Sequence, residues 1–236
     1  MKNNLIVPVA ADKLEYSNAL PYVFNLNEEG IIICIKSIMG LPLSSFDNIY
    51  ITILKKHDER FYIADSLRMQ CKRLGLNNVD IVILDEPTQD QVETVYRTIS
   101  LRNINGALFI KDADSYFSIK EIERNGVAVF PIEELMFLDP RNKSYVSVDD
   151  MFYITNIIEK TVVGHYISAG GYSFESVDLF TEYYNKLRPL GKLYISHMIY
   201  AMLLEKKLFR PMCVKSYLDW GTKKLLNYSH ELKEDL

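Results

Sequence analysis

The segment Ala107-Leu108-Phe109-Ile110-Lys111-Asp112-Ala113-Asp114-Ser115-Tyr116-Phe117 reads as a short apolar strand that ends abruptly in charge. Asp112 and Asp114 stand directly beyond the apolar run. Neighbouring carboxylates repel each other. At the C-terminal end of a strand they are most simply explained as ligands for a hard cation such as Mg²⁺, which takes oxygen donors together with substrate phosphates. On its own an Asp-x-Asp triplet also fits a solvated loop in which Asp112 or Asp114 caps a following helix.

What flanks this segment sets the expected fold. Leu5 to Ala10, Ile49 to Leu54 and Val79 to Leu84 are short runs rich in β-branched residues and read as buried strands. Between the latter two, Phe61, Ala64, Leu67, Cys71 and Leu74 recur at helical spacing, which predicts a helix over Asp58 to Leu74 stopped by Gly75. Val92, Val95, Tyr96 and Ile99 predict a second helix over Gln89 to Ser100. Strands joined by crossover helices imply an α/β fold: a Rossmann-like, mixed but mostly parallel sheet flanked by helices, with ligands bound beyond the carboxyl ends of the strands. The second half mixes strand-like runs (Val127 to Phe130, Tyr145 to Val148, Phe152 to Ile158, Ile167 to Phe174) with helices at Val177 to Leu187 and Leu193 to Lys206. With no internal repeat or Gly/Ser linker, residues 1–236 are expected to form a single domain, in which a boundary near Pro140 separates two lobes, 1–140 and 141–236.

Composition narrows the function classes. Of 236 residues, 48% are hydrophobic and 25% charged, as in an ordinary globular protein, so disorder is not expected. A net charge of -4 provides no basic field for nucleic acid or an anionic membrane. Cys34, Cys71 and Cys213 are odd in number and widely separated, which fits a reducing cytoplasm better than a disulfide framework. Apolar runs such as Ile31 to Ile35 fall well short of the roughly 20 residues that span a bilayer. Leu5 to Ala11 carries Pro8 and leads into Asp12 and Lys13, so it reads as a first strand rather than a signal core. His57, His165, His197 and His230 have no ligand spacing to one another or to the cysteines, so no zinc site is predicted. Gly-x-Ser-x-Gly, Walker and dinucleotide glycine patterns are absent from the sequence.

Three further stretches could carry chemistry. Tyr217-Leu218-Asp219-Trp220-Gly221-Thr222 holds the only tryptophan, and its plain alternative is Asp219 as an N-cap for a segment starting near Thr222. Glu159-Lys160 ends an apolar strand, where such pairs are usually surface pairs worth little. Paired glycines in Ser168-Ala169-Gly170-Gly171-Tyr172 suggest a bulge or a close backbone approach to a ligand. Tyr183, Tyr184, Tyr194 and Tyr200 sit at helical spacing and read as packing residues, with a self-association face, and so a homo-oligomer, as the alternative.

Taken in order, these features resemble the sugar-nucleotide pyrophosphorylases, a nucleotidyltransferase family with a GT-A-like fold. Asp114-Ser115 with Phe117 looks like that family's magnesium-binding element, with Asp112 as its neighbour. Glu159-Lys160 is similar to its sugar-phosphate pair, and Gly170-Gly171-Tyr172 to its sugar-contact strand. Asp219-Trp220-Gly221-Thr222 matches the element whose aspartate completes the metal site. The resemblance implies transfer of a nucleoside monophosphate from an NTP to a sugar phosphate or similar phosphorylated acceptor, with release of pyrophosphate, in the making of surface or capsular polysaccharide precursors. It implies Mg²⁺, or Mn²⁺ in its place, on Asp112, Asp114 and Asp219, and Lys13, Asp114, Lys160 and Asp219 as catalytic. Ala10, Ala11, Thr88, Gln91, Asp112, Glu159, Gly170, Gly171 and Tyr172 then contact substrates. The first loop, Ala10-Ala11-Asp12-Lys13-Leu14-Glu15-Tyr16, departs from the family by lacking glycines, which makes close approach of backbone to phosphate harder. Two alternatives therefore stand beside the enzyme: a binding or regulatory protein that keeps the fold, and a glycosyltransferase using Asp112-Ala113-Asp114 on a nucleotide sugar.

Overall fold

The computed structural model describes residues 2–10, 19–135 and 142–220. Its elements, in chain order, are β1 (Asn3–Val9), α1 (Ile33–Lys36), β2 (Asn48–Leu54), α2 (Lys55–Phe61), α3 (Ile63–Arg73), β3 (Val79–Leu84), α4 (Gln91–Arg102), β4 (Ala107–Lys111), β5 (Ser115–Ser118), β6 (Gly126–Pro131), β7 (Ser144–Val148), β8 (Ile154–Glu159), β9 (Tyr166–Phe174), α5 (Val177–Leu187), α6 (Ile195–Leu204), β10 (Arg210–Cys213) and β11 (Lys215–Asp219).

A nine-stranded sheet runs β10-β6-β9-β4-β1-β2-β3, with β7 paired to β8 and β9 at its side. Along that path β9 alone runs against its neighbours, pairing antiparallel with both β4 and β6, while the pairs of β1 with β2 and β4, β2 with β3, and β6 with β10 are parallel. The mixed, mostly parallel α/β sheet read from the sequence is the one observed.

Alternation along the strands feeds two cores, one on each face of the sheet. Leu5 and Val7 of β1 and Phe109 of β4 pack on one face with Ile63, Ala64, Leu67 and Cys71 of α3. Ile6, Leu108 and Ile110 face the other way, against Val92 and Val95 of α4, Phe180 and Tyr183 of α5, and Met198 and Met202 of α6. Both faces of the central strands are therefore covered, as near-continuous apolar runs require. Side-chain caps fix where the covering helices begin: Asp90 accepts from the Glu93 amide at 2.9 Å and Ser176 from the Leu179 amide at 3.1 Å.

Two expectations change. The helix expected over Asp58 to Leu74 is divided at Tyr62, whose φ of 52° is left-handed, so α2 ends and α3 begins there. Asp58 bridges the break: its carbonyl accepts from the Tyr62 amide at 2.8 Å and its carboxylate from the Ala64 amide at 2.7 Å. Apolar spacing continues across the break, so periodicity alone cannot reveal it. Second, Ser115–Ser118 is neither a solvated loop nor a helix start but a strand, paired with β11 in a separate two-stranded sheet. The expected boundary near Pro140 lies outside the described residues.

Among the described residues no helix is long and apolar enough to cross a membrane. Cys34 and Cys71 are buried and Cys213 is exposed. Burial raises the Cys34 thiol strongly and pushes Cys71 up to about 11, leaving almost no thiolate on either at neutral pH. A thiol-titrating disulfide reagent at pH 8 should modify Cys213 alone in the folded protein and all three cysteines after denaturation. Rapid native labelling of Cys34 or Cys71 would contradict this packing.

Candidate functional site

Strand order places a site before any side chain is considered. The chain builds β1, β2 and β3 outward in one direction, then returns to lay β4 on the other side of β1. The crevice beyond the carboxyl ends of β1 and β4 is thus the topological switch point, where open α/β sheets bind ligands. Ala10 and Asp112 are the residues that leave those two strands. The Thr88 amide reaches the Ala10 carbonyl at 3.4 Å, and the Gln91 amide nitrogen donates to Asp112 Oδ1 at 2.5 Å. The start of α4 therefore closes one wall of the crevice. Asp90 anchors that wall, its carboxylate accepting from the Arg188 guanidinium at 2.7 Å and the Leu193 amide at 2.9 Å.

The opposite wall is β9, with Lys111 registered against Gly171 and the Asp112 amide donating to the Gly170 carbonyl at 2.8 Å. Register with β6 shifts between Val127 and Val129, so the glycine pair lies in a bulge. The bulge also makes room for the acidic turn. Gly170 has a φ of +84°, and a Cβ there would lie 2.6 Å from Asp112 Oδ2 and 2.9 Å from Ser115 Oγ. A Cβ on Gly171 would meet the Phe117 ring at 2.6 Å.

Beneath the turn lies a lysine whose role the sequence did not signal. Lys111 sits two residues past Phe109, on the same face of β4, and is fully buried. Its Nζ donates to the Asp112 carbonyl at 2.8 Å, the Ser115 carbonyl at 2.8 Å and Ser115 Oγ at 2.9 Å, and lies 4.7 Å from the Phe117 ring centre. Burial pushes the ammonium down to about 8, against the upward pull of Asp112, Asp114 and Asp219. The Asp112 carboxyl is raised by burial and then by Asp114, with Lys111 and Gln91 opposing.

Asp114 and Asp219 are brought together by the small sheet. Asp219 is registered against Ser115, and the amide of the next residue, Trp220, donates to the Asp114 carbonyl at 2.8 Å. Tyr22 donates to Asp114 Oδ2 at 3.0 Å. Asp219 Oδ2 is ion-paired with Lys143, whose Nζ also donates to Tyr217 OH at 2.7 Å. Both aspartates act on the Tyr217 phenol, which burial raises most. Among the described residues no three His, Cys, Asp or Glu side chains are grouped closely enough to hold a metal by themselves. Asp112 is turned to Gln91, which leaves Asp114 and Asp219, neighbours through the backbone of the small sheet, as the candidate donors for a cation. That donor set fits Mg²⁺, which is commonly held by one or two carboxylates plus substrate phosphates.

Other expected residues have partners of their own. Glu159 Oε2 accepts from Ser144 Oγ and, at 2.8 Å, from Ser196 Oγ. Lys160 follows it with a left-handed φ of 59°, exposed, its Nζ donating to Tyr194 OH at 3.1 Å. Its contacts join it to α6 rather than to the aspartates. Thr88 is buried with its hydroxyl 2.6 Å from that of Thr94. The Tyr172 ring is buried and its hydroxyl accepts from Ser168 at 3.0 Å. Ala11, Lys13, Gly221 and Thr222, with the expected cap by Asp219 near Thr222, fall outside the described residues. Sequence reasoning misses Lys111, Lys143 and Tyr22. Only Lys111 leaves a trace, as a charge inside an apolar strand.

No protein-family model matches the sequence, and neither does any curated protein. The fold has many relatives among solved structures. The nucleoside-diphosphate-sugar pyrophosphorylase of Vibrio cholerae RC9 is 14% identical with a TM-score of 0.75, over 99% of this chain and 100% of that one. The inositol-1-phosphate CTP transferase of T. maritima is 13% identical with a TM-score of 0.69, over 100% and 98% of the two chains. A UDP-glucose pyrophosphorylase in complex with UDP-glucose is 11% identical with a TM-score of 0.71, over the whole of both chains.

Replacing Gly170 by Ala should destabilise the protein by roughly 3 kcal/mol, combining left-handed strain with the clash at Asp112. Gly75, also left-handed at φ +75° but with open space around it, serves as the control. Gly75→Ala should cost only about 1 kcal/mol. Equal losses in urea melts would show that the Asp112 contact carries nothing. The chain has the fold of the sugar-nucleotide pyrophosphorylases and related nucleotidyltransferases.

Proposed function

We propose that the protein is a nucleotidyltransferase that joins a nucleoside monophosphate from an NTP to a sugar phosphate or similar small phosphorylated acceptor, releasing pyrophosphate. The observation that carries this reading is the juxtaposition of Asp114 and Asp219, from distant parts of the chain, at the crevice between β1 and β4. The fold shared with pyrophosphorylases supports it.

The acceptor phosphate is already anionic, so its oxygen needs no general base. The protein must align that oxygen with the α-phosphorus and neutralise charge developing there. Asp114 and Asp219 would hold Mg²⁺ or Mn²⁺, with Asp112 fixing the turn, and the bound ion would stabilise charge on the phosphates. Lys111 holds the acidic turn rigid from below. On this reading the nucleotide lies across the first lobe, against Ala10, Ala11, Thr88 and Gln91, with Lys13 toward the triphosphate. The acceptor takes the second lobe, its hydroxyls toward Glu159 and the Gly170-Gly171-Tyr172 strand and its phosphate toward Lys160. The product, a nucleotide sugar made in the cytoplasm, would feed surface-polysaccharide assembly.

A second reading keeps the fold without turnover, as a binding or regulatory protein. The first loop favours it, since it lacks the glycines that let backbone approach phosphate and its Asp12 and Glu15 add repulsion to a triphosphate. Screening four NTPs against a panel of sugar 1-phosphates with Mg²⁺ or Mn²⁺, reading pyrophosphate, separates the two. The enzyme should release pyrophosphate, and Asp114→Asn should lower kcat at least about a hundredfold while leaving the melting temperature within a few degrees. Silence across the panel, with no NTP raising the melting temperature, favours the second reading. Full activity in Asp114→Asn removes the assignment of Asp114.

A further inference from the structure

The contact at Asp219 is unusual for a carboxylate expected to meet a metal, because a lysine is already there. Lys143 Nζ is ion-paired with Asp219 Oδ2, and the two side chains are only 15% and 17% exposed. The same ammonium donates to Tyr217 OH at 2.7 Å and lies 5.4 Å from that ring's centre. Its backbone is pinned just before β7, the Lys143 carbonyl accepting from the Lys160 amide at 2.8 Å. The side chain is thus held at both ends. A carboxylate this far from water is costly without a counter-charge, and Lys143 supplies one.

We propose that Lys143 is a resident cation that occupies Asp219 while the nucleotide is absent, and yields that carboxylate to a divalent ion when phosphates arrive to take over the ammonium. The proposal rests on the reading of Asp219 as a metal ligand. No bond to carbon or phosphorus changes: one ion pair is exchanged for two, as the divalent ion meets Asp219 and the ammonium meets a polyphosphate. Before the exchange the ammonium and the divalent ion compete for one oxygen. The nucleotide-free protein should therefore hold divalent ions weakly, and the nucleotide should favour their entry reciprocally.

Trp220, the only tryptophan in the sequence, is next to Asp219 and bonded to the Asp114 carbonyl, so its fluorescence reports on the site. Titrating the nucleotide-free full chain with Mn²⁺ while following Trp220 quenching, with electron paramagnetic resonance counting free Mn²⁺, gives the affinity directly. Lys143→Met should bind Mn²⁺ about tenfold more tightly than the wild type, and Lys143→Arg, which restores the charge, should return to wild-type affinity. Equal or weaker binding by Lys143→Met overturns the proposal. Should that variant fail to fold, reductive methylation of the wild type, read at Lys143 by mass spectrometry, tests the same competition. Saturating Mn²⁺ should speed Lys143 labelling severalfold, and an unchanged rate overturns the exchange. Failure here with pyrophosphate still released leaves the transferase reading standing; tighter Mn²⁺ binding without pyrophosphate release leaves the exchange and removes the transferase.

Discussion

A single buried ammonium carries the local architecture of this protein. Lys111 is fully buried at the end of β4 and gathers two carbonyls and a hydroxyl from the turn that follows. Hydrogen bonds to a charged donor in a poorly solvated site are stronger than those at the surface, and each partner left unpaired there would be costly. Ser115 extends the network, donating to the Ala169 carbonyl at 2.9 Å and so tying the turn to the bulge of β9. The carboxylates of Asp112 and Asp114 are thereby set on a rigid base. Their repulsion is offset by Lys111 below, by Gln91 on Asp112 and by Tyr22 on Asp114.

Around that base the sheet supplies position and the small hairpin supplies reach. The reversal of strand order between β1 and β4 opens a crevice at their carboxyl ends, and the antiparallel β9 closes it from the second half of the chain. The pairing of β5 with β11 then brings Asp219 beside Asp114 across about a hundred residues of sequence, by backbone bonds that do not depend on either side chain. The result is an alternation of charge, aspartates interleaved with Lys111 and Lys143, that is nearly balanced by the protein's own side chains. On the proposed reading, such a site takes a polyanion and a divalent ion together more readily than either alone.

Much of this is legible in the sequence, for identifiable reasons. β3 and α5 match the expected Val79 to Leu84 and Val177 to Leu187 to the residue, because both are strongly patterned elements buried along one or both faces. Asp112 and Asp114 stand out because they follow an apolar strand directly, although the triplet alone also fits a solvated loop. The break at Tyr62 is not legible, since the apolar spacing runs through it and the left-handed turn is fixed by Asp58. Nor is Lys143, whose partner Asp219 is distant in sequence and whose flanking residues carry no pattern. Lys160 draws attention by its place in a motif, but its contacts run to Tyr194, and the lysine that touches Asp219 comes from the neighbouring strand entry.

On the proposed reading, Asp114 and Asp219 hold one divalent ion beyond the carboxyl ends of β1 and β4. Crystals grown with Mn²⁺ and a non-hydrolysable NTP analogue, measured at the manganese absorption edge, test it most directly. The expected result is an anomalous peak within coordination distance of both carboxylates, with the phosphates reaching it from the ends of β1 and β4. A peak bound to neither aspartate, or a nucleotide seated away from that crevice, would contradict it.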